Sequence, residues 1–140
     1  VDYAHSPDAL ARTVGIARAL AGGARLFVVF GAGGKRDRDK RRPMGEAARP
    51  ADVVVLTTDN PRDEEPADIA RAVAAGLEGH AGVRTELDRA EAIAAAILEA
   101  ADDDVVLVAG KGHETEQILG AETRRFSDVE VARAALARRG

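Results

Sequence analysis

Apolar residues along this chain follow two rhythms. In "PDALARTVGIARALAG" (7–22) they recur at helical spacing, with Ser6 placed to cap and Pro7 to open the helix, and Gly22-Gly23 to stop it. "PADIARAVAAGLEG" (66–79), "RAEAIAAAILEAA" (89–101, capped by Asp88) and "DVEVARAALARR" (128–139, capped by Ser127) repeat the pattern. A short helix is predicted from about Pro43 to Arg49. Three stretches are instead continuously apolar at their centres: "RLFVVF" (25–30), "DVVVLT" (52–57) and "DVVLVAG" (104–110). That is how strands buried on both faces of a parallel sheet read. "VRTEL" (83–87) is a weaker strand, and "EQIL" and "TRRF" flank Gly120-Ala121 as a hairpin.

Strands alternating with helices predict a Rossmann-like α/β domain: a mostly parallel sheet, helices on both faces, and an antiparallel C-terminal hairpin at its edge. There is no internal repeat and no linker, so residues 1–140 read as a single domain. Its opening residues, "VDYAHSPDAL", read as a strand cut at Val1 and predict a domain excised from a longer chain. Open α/β sheets bind ligands beyond the carboxyl ends of their strands. Three loops leave those ends: "GAGGKRDRDKRR" (31–42), "TDNPRDEE" (58–65) and "GKGHETE" (110–116).

Composition narrows the class. With 46% apolar but only 3% aromatic residues, the core must be built from Ala, Val, Leu and Ile. A net charge of −4 with both signs mixed argues against disorder and against a general nucleic-acid binder. The absence of Cys excludes disulfides and thiolate metal sites. No apolar run approaches the roughly 20 residues of a membrane span, and no signal peptide is visible.

The loops carry the chemistry. Gly31, Gly33 and Gly34 permit close backbone approach, but Arg36 stands where a dinucleotide fingerprint needs Gly, and no Walker A loop occurs. Lys35, Arg38, Lys40, Arg41 and Arg42, interleaved with Asp37 and Asp39, read as a solvated charge run. Arg36, next to the strand end, reads as an anion contact. In the second loop, Asp59, Asn60 and Pro61 would suffice for a turn. Arg62 is surplus to it: either a solvated side chain or a planar fork for a carboxylate, with Asp59 and Asn60 taking an ammonium. Together they fit a free amino-acid head. In the third loop Glu114 is a second ammonium partner, while His113 reads as packing or hydrogen bonding more than as proton carrier or metal ligand. His5 can cap the helix or lie beside a nucleotide. His80 reads as exposed.

The segments "DYAHSPDAL", "GAGGKRDRDKRRPMG", "TTDNPRDEEP", "DRAEAI" and "LVAGKGHETEQ" resemble, in order and spacing, the C-terminal domain of the Mur ligases. The resemblance is strongest to the branch that joins meso-diaminopimelate to UDP-N-acetylmuramoyl-L-alanyl-D-glutamate. It implies ATP- and Mg2+-dependent amide formation through an acyl phosphate, in peptidoglycan precursor synthesis in the bacterial cytoplasm, with no nucleic-acid or membrane partner. It assigns Arg36, Asp59, Asn60, Arg62, Gly110 and Glu114 to meso-diaminopimelate and sets Asp2 and His5 near the nucleotide. Lysine-adding relatives lack the Arg of "DNPR". The family's central and N-terminal domains, which hold ATP, Mg2+ and the UDP-linked substrate, are absent from these residues. The resemblance therefore implies no catalytic residue and no metal here, and no ligase activity for the domain alone. Lys35 and Asp39 replace the usual Asp and Gly, and "RPMG" the usual "RPLMG". The alternatives are the equivalent domain of another Mur or folylpolyglutamate-type ligase, or a non-catalytic anion-binding module.

Overall fold

The structure, a computed structural model, describes residues 1–36 and 38–140. Asp37, one of the acids read into the basic run, lies outside the described residues. Strands β1 (Leu26–Phe30), β2 (Val53–Leu56), β3 (Val83–Thr85) and β4 (Val105–Val108) form a parallel sheet in the order β3-β2-β1-β4. β1 is central: Phe27 to Phe30 pair with Val53 to Leu56, and Leu26 to Val29 with Val105 to Val108.

Alternation along β1 divides the core in two. Leu26, Val28 and Phe30 join a cluster with helices α1 (Pro7–Ala21), α2 (Arg41–Ala47) and α3 (Pro66–Ala74). Phe27 and Val29 join the opposite cluster, with α4 (Arg89–Glu99) and α5 (Asp128–Arg139). All five β1 residues are buried, which accounts for their unbroken apolar run. Each such large side chain contributes about 1.5–3 kcal/mol on burial.

The expected caps form. Ser6 Oγ accepts from Ala9 N, Asp88 Oδ1 from Glu91 N, and Ser127 Oγ from Glu130 N. α2 starts earlier than its sequence suggests, at Arg41, after a 3-10 turn over Arg38–Lys40. Pro43 is then the third helical residue, where a missing N–H has no intrahelical partner to lose. His80 is half-buried rather than simply exposed: its Nε2 lies 2.7 Å from Ala51 O, and its Nδ1 accepts from Gly82 N at 3.0 Å.

The predicted hairpin, β5 (Glu116–Leu119) and β6 (Glu122–Arg125), is antiparallel but stands as a separate two-stranded sheet. Two contacts divert it from the edge of β4. Asp2 pairs with Ala109 at the end of β4, and Gly110, at φ +118, turns the chain over the sheet's carboxyl edge. The hairpin docks there on the loop after β2: Arg62 N donates to Ile118 O and Gly120 N to Arg62 O.

Arg89, in the first turn of α4, is fully buried. Its Nε and Nη2 donate to the two carboxylate oxygens of Asp128, itself fully buried at the start of α5, both at 2.7 Å. Nη1 also reaches Thr58 O and Nη2 reaches Ala109 O, each at 3.1 Å. One side chain thus joins the ends of β2 and β4 to two helices. Arg89→Ala should destabilise the fold by about 3–5 kcal/mol, because Asp128 is left as an uncompensated buried charge. Replacing Arg89 and Asp128 together by Leu should recover part of this, but not all, since the carbonyls of Thr58 and Ala109 remain without a donor. Urea unfolding of the two variants beside the unaltered chain checks both expectations.

Candidate functional site

Strand order reverses between β1 and β4: the chain proceeds from β1 through β2 to β3, then returns to β4 on the other side of β1. In open α/β sheets ligands bind outside the carboxyl ends at this reversal. A cleft of about 290 Å³ lies there. Its walls include Arg36 from the loop after β1, Asp59, Asn60 and Arg62 from the loop after β2, and Gly110 and Glu114 from the loop after β4. His5, Tyr3, Lys40 and Met44 complete the rim.

The first two loops are tied together by charge. Buried Arg41 donates to both oxygens of Glu64, Nη1 to Oε2 at 3.0 Å and Nη2 to Oε1 at 2.7 Å, and also reaches Gly33 O. Lys35 N donates to Glu64 Oε1 at 2.6 Å. The Arg41 guanidinium, then the Lys35 amide, hold the Glu64 carboxyl down to about 2 from its ordinary 4.5. Gly34 donates its N–H to Asn60 O at 2.8 Å, and a Cβ there would stand 1.8 Å from Pro61 O. Only glycine permits that approach.

Arg62 adopts a left-handed backbone, φ 54, unusual for a branched-out cationic side chain and held by its two hydrogen bonds to the hairpin. Its Nη1 donates to Gly34 O at 3.1 Å and to Asn60 O at 3.4 Å. These bonds engage one of three guanidinium nitrogens, so the side chain steadies the loop and retains donors for an anion. Arg36 is exposed and has no hydrogen-bond or ion-pair partner among the described residues. Gly110, at φ +118, brings its backbone so close to Asp59 that a Cβ would sit 2.7 Å from Asp59 Oδ2. The cleft therefore sets two guanidinium groups, Arg36 and Arg62, with Lys40 at the rim, against two acids, Asp59 and Glu114. This pairing of signs suits a zwitterion.

Seven of the eight residues singled out from sequence line this cleft. Asp2 does not: its N–H donates to Val108 O, its carbonyl accepts from Gly110 N and Gly112 N, and its carboxylate accepts from Ala4 N. His5 is at the rim, with its Nδ1 2.9 Å from Tyr3 O and its ring edge-on to Tyr3. His113 is exposed and does not line the cleft.

Two residues beneath the site were not assigned from sequence. One is Arg89. Its signal was a cation directly after an N-cap, where the helix dipole disfavours it, so that some other partner must hold it there. The other is Lys111, fully buried, whose Nζ donates to Asn60 Oδ1 at 3.0 Å and to Glu116 O at 2.8 Å. Burial, and then nearby Arg89, push its ammonium below the ordinary lysine range, against the pull of Asp59.

Residues 1–112 match the family described as Mur ligase, glutamate ligase domain. A protein of Acidovorax sp. (strain JS42) named UDP-N-acetylmuramoyl-L-alanyl-D-glutamate--2,6-diaminopimelate ligase is 52% identical over 143 residues, covering 100% of this chain and 28% of that protein. One of the same name from Bradyrhizobium diazoefficiens is 54% identical over 140 residues, covering 99% and 28%. A solved structure of a 2,6-diaminopimelate ligase of this name superposes with a TM-score of 0.88 at 40% identity, over 97% of this chain and 28% of that one. A murein peptide ligase from Psychrobacter arcticus shares the fold, with a TM-score of 0.64 at 14% identity. The chain thus spans little more than a quarter of these relatives.

The Glu64 latch has a pH signature. Because its folded pKa is lowered, its contribution is complete above about 4.5 and is lost as pH falls toward about 2. Glu64→Gln should lower stability at pH 7 and matter progressively less through that window. Unfolding curves for both chains at pH 7, 4 and 2.5 should converge at the acid end.

Proposed function

Because this chain belongs to the Mur ligase family, as its glutamate ligase domain, we propose that it is the amino-acid-receiving part of an ATP-dependent ligase. That enzyme adds meso-diaminopimelate to UDP-N-acetylmuramoyl-L-alanyl-D-glutamate, in the bacterial cytoplasm. The observation that carries this reading is the gathering of Arg36, Asp59, Asn60, Arg62, Gly110 and Glu114 around one cleft. Relatives about half identical in sequence bear the diaminopimelate name, which supports the choice of substrate.

Diaminopimelate has an amino-acid head at each end. One amine must reach the activated carboxyl group, and the other head must be held still. A cleft offering two carboxylates and two guanidinium groups can pair with both charges of that held head. Arg36 and Arg62 receive its carboxylate, and Asp59 and Glu114 its ammonium. Fixing the far head orients the near amine, which lowers the entropic part of the barrier without any chemistry by this domain. ATP and Mg2+ supply the acyl-phosphate activation. This chain has no Walker A loop to cradle the phosphates, so they belong to the remaining three-quarters of the enzyme. Asp2 and His5, the latter at the rim of the cleft, are the residues of this domain that would lie near that nucleotide when the parts close together.

Arg62 separates diaminopimelate from lysine, which has hydrogen where the second carboxylate stands. In the full-length enzyme, Arg62→Ala should lower kcat/KM for diaminopimelate roughly tenfold to a hundredfold, the worth of a charge-assisted bond of about 1.5–3 kcal/mol. Activity with lysine should change little. Arg62→Lys should restore only part, because an ammonium lacks the bidentate fork. Rates with both amino acids on the three enzymes decide the matter. An equal loss for both would mean that the bonds from Arg62 to Gly34 and Asn60 are its whole role.

A further inference from the structure

We infer that Lys111 is a positioning residue of the amino-acid cleft: its buried ammonium fixes the polarity of the Asn60 amide, and so decides which end of the substrate Asn60 can meet. The inference rests on the functional reading above.

Lys111 is fully buried and does not line the cleft. Its Nζ donates to Asn60 Oδ1 at 3.0 Å, and Ile118 N donates to the same oxygen at 2.9 Å. Both partners are donors only, so the atom between them must be the amide oxygen and not the nitrogen. Those two bonds occupy both lone pairs of that oxygen. Asn60 has no acceptor left for a substrate ammonium. Its Nδ2 protons remain, and they suit a carboxylate. This reverses the expectation that Asn60 shares the ammonium with Asp59. The ammonium falls to Asp59 and Glu114, and the carboxylate to Asn60 together with Arg62 and Arg36.

A lysine does this better than a neutral donor. An ammonium has three protons and no acceptor, so a flipped amide would face Nδ2 donors to a buried cation and strand it. The same Nζ donates to Glu116 O at the start of β5 and lies 3.8 Å from Asp59 Oδ1. It therefore holds the loop after β2, the hairpin and the acid of the cleft in one arrangement. Its position is set from both sides by the glycines Gly110 and Gly112, each at positive φ. Gly112 lies against Tyr3, where a Cβ would come within 2.9 Å of the Tyr3 Cβ.

The test uses the full-length ligase carrying Lys111→Met, which keeps the volume without the donor, and Lys111→Gln, which keeps a neutral donor. In Lys111→Met, KM for meso-diaminopimelate should rise about tenfold to a hundredfold while KM for ATP stays within about twofold. Lys111→Gln should recover part of the loss. Without any substrate, amide exchange across residues 116–120 should quicken in Lys111→Met, because Ile118 N loses a fixed acceptor. Equal rises in both KM values, or unchanged exchange across 116–120, overturn the inference. Should the unaltered enzyme use no diaminopimelate, the functional reading fails, and the exchange experiment alone decides the role of Lys111.

Discussion

Arg89 and Asp128 meet where two helices begin, with neither side chain exposed to solvent. Asp128 suits the positive end of α5, whereas Arg89 opposes that of α4. The cost is offset because a guanidinium can satisfy several acceptors in one plane, here two carboxylate oxygens and the carbonyls of Thr58 and Ala109. Those carbonyls lie just past the ends of β2 and β4, where the two loops begin. The next residues, Asp59 and Gly110, are already in the cleft. The geometry of the site therefore starts from this buried pair.

Above it lies a second tier of polar struts. Arg41 and Glu64 join the loop after β1 to the loop after β2, and Lys111 joins the loop after β2 to the hairpin. A chain so poor in aromatic residues cannot wedge its loops apart with large rings. Directional hydrogen bonds perform that task, and unlike apolar packing they fix orientation as well as distance. Among the described residues, the two non-glycine positions with left-handed backbones, Lys35 and Arg62, sit beside these struts. Lys35 donates its amide to Glu64, and Arg62 is held by the hairpin. Such conformations persist only where neighbouring bonds over-determine them. At Arg62 this brings the guanidinium to the cleft, whereas the Lys35 ammonium pairs with Asp63 at the surface.

Much of this was legible along the chain. Continuous apolar runs at 26–30 and 53–56 read as buried strands because a parallel sheet covered on both faces leaves them no polar side. Ser6, Asp88 and Ser127 read as caps because an N-cap depends only on residues three positions apart. The candidate loops followed from strand alternation, since the carboxyl ends of parallel strands share one edge. Residues with charges surplus to a turn, Arg62 above all, stood out against that simple background.

What the tertiary structure alone decided was pairing at a distance. Asn60 to Lys111 spans 51 residues, and Arg89 to Asp128 spans 39. No local pattern specifies such partners, because burial of a charge depends on what the fold brings opposite it. The same holds for the hairpin. Its two strands and turn are a local matter, but its place over the cleft instead of along β4 depends on Asp2 pairing with the end of β4 and on Gly110 turning the chain. Sequence by itself determined which segments form elements and which loops carry chemistry, since both are set by short-range periodicity and turn geometry. Only the folded chain decided which of those charges face the cleft and which face one another, since that depends on through-space distance and on exclusion of water.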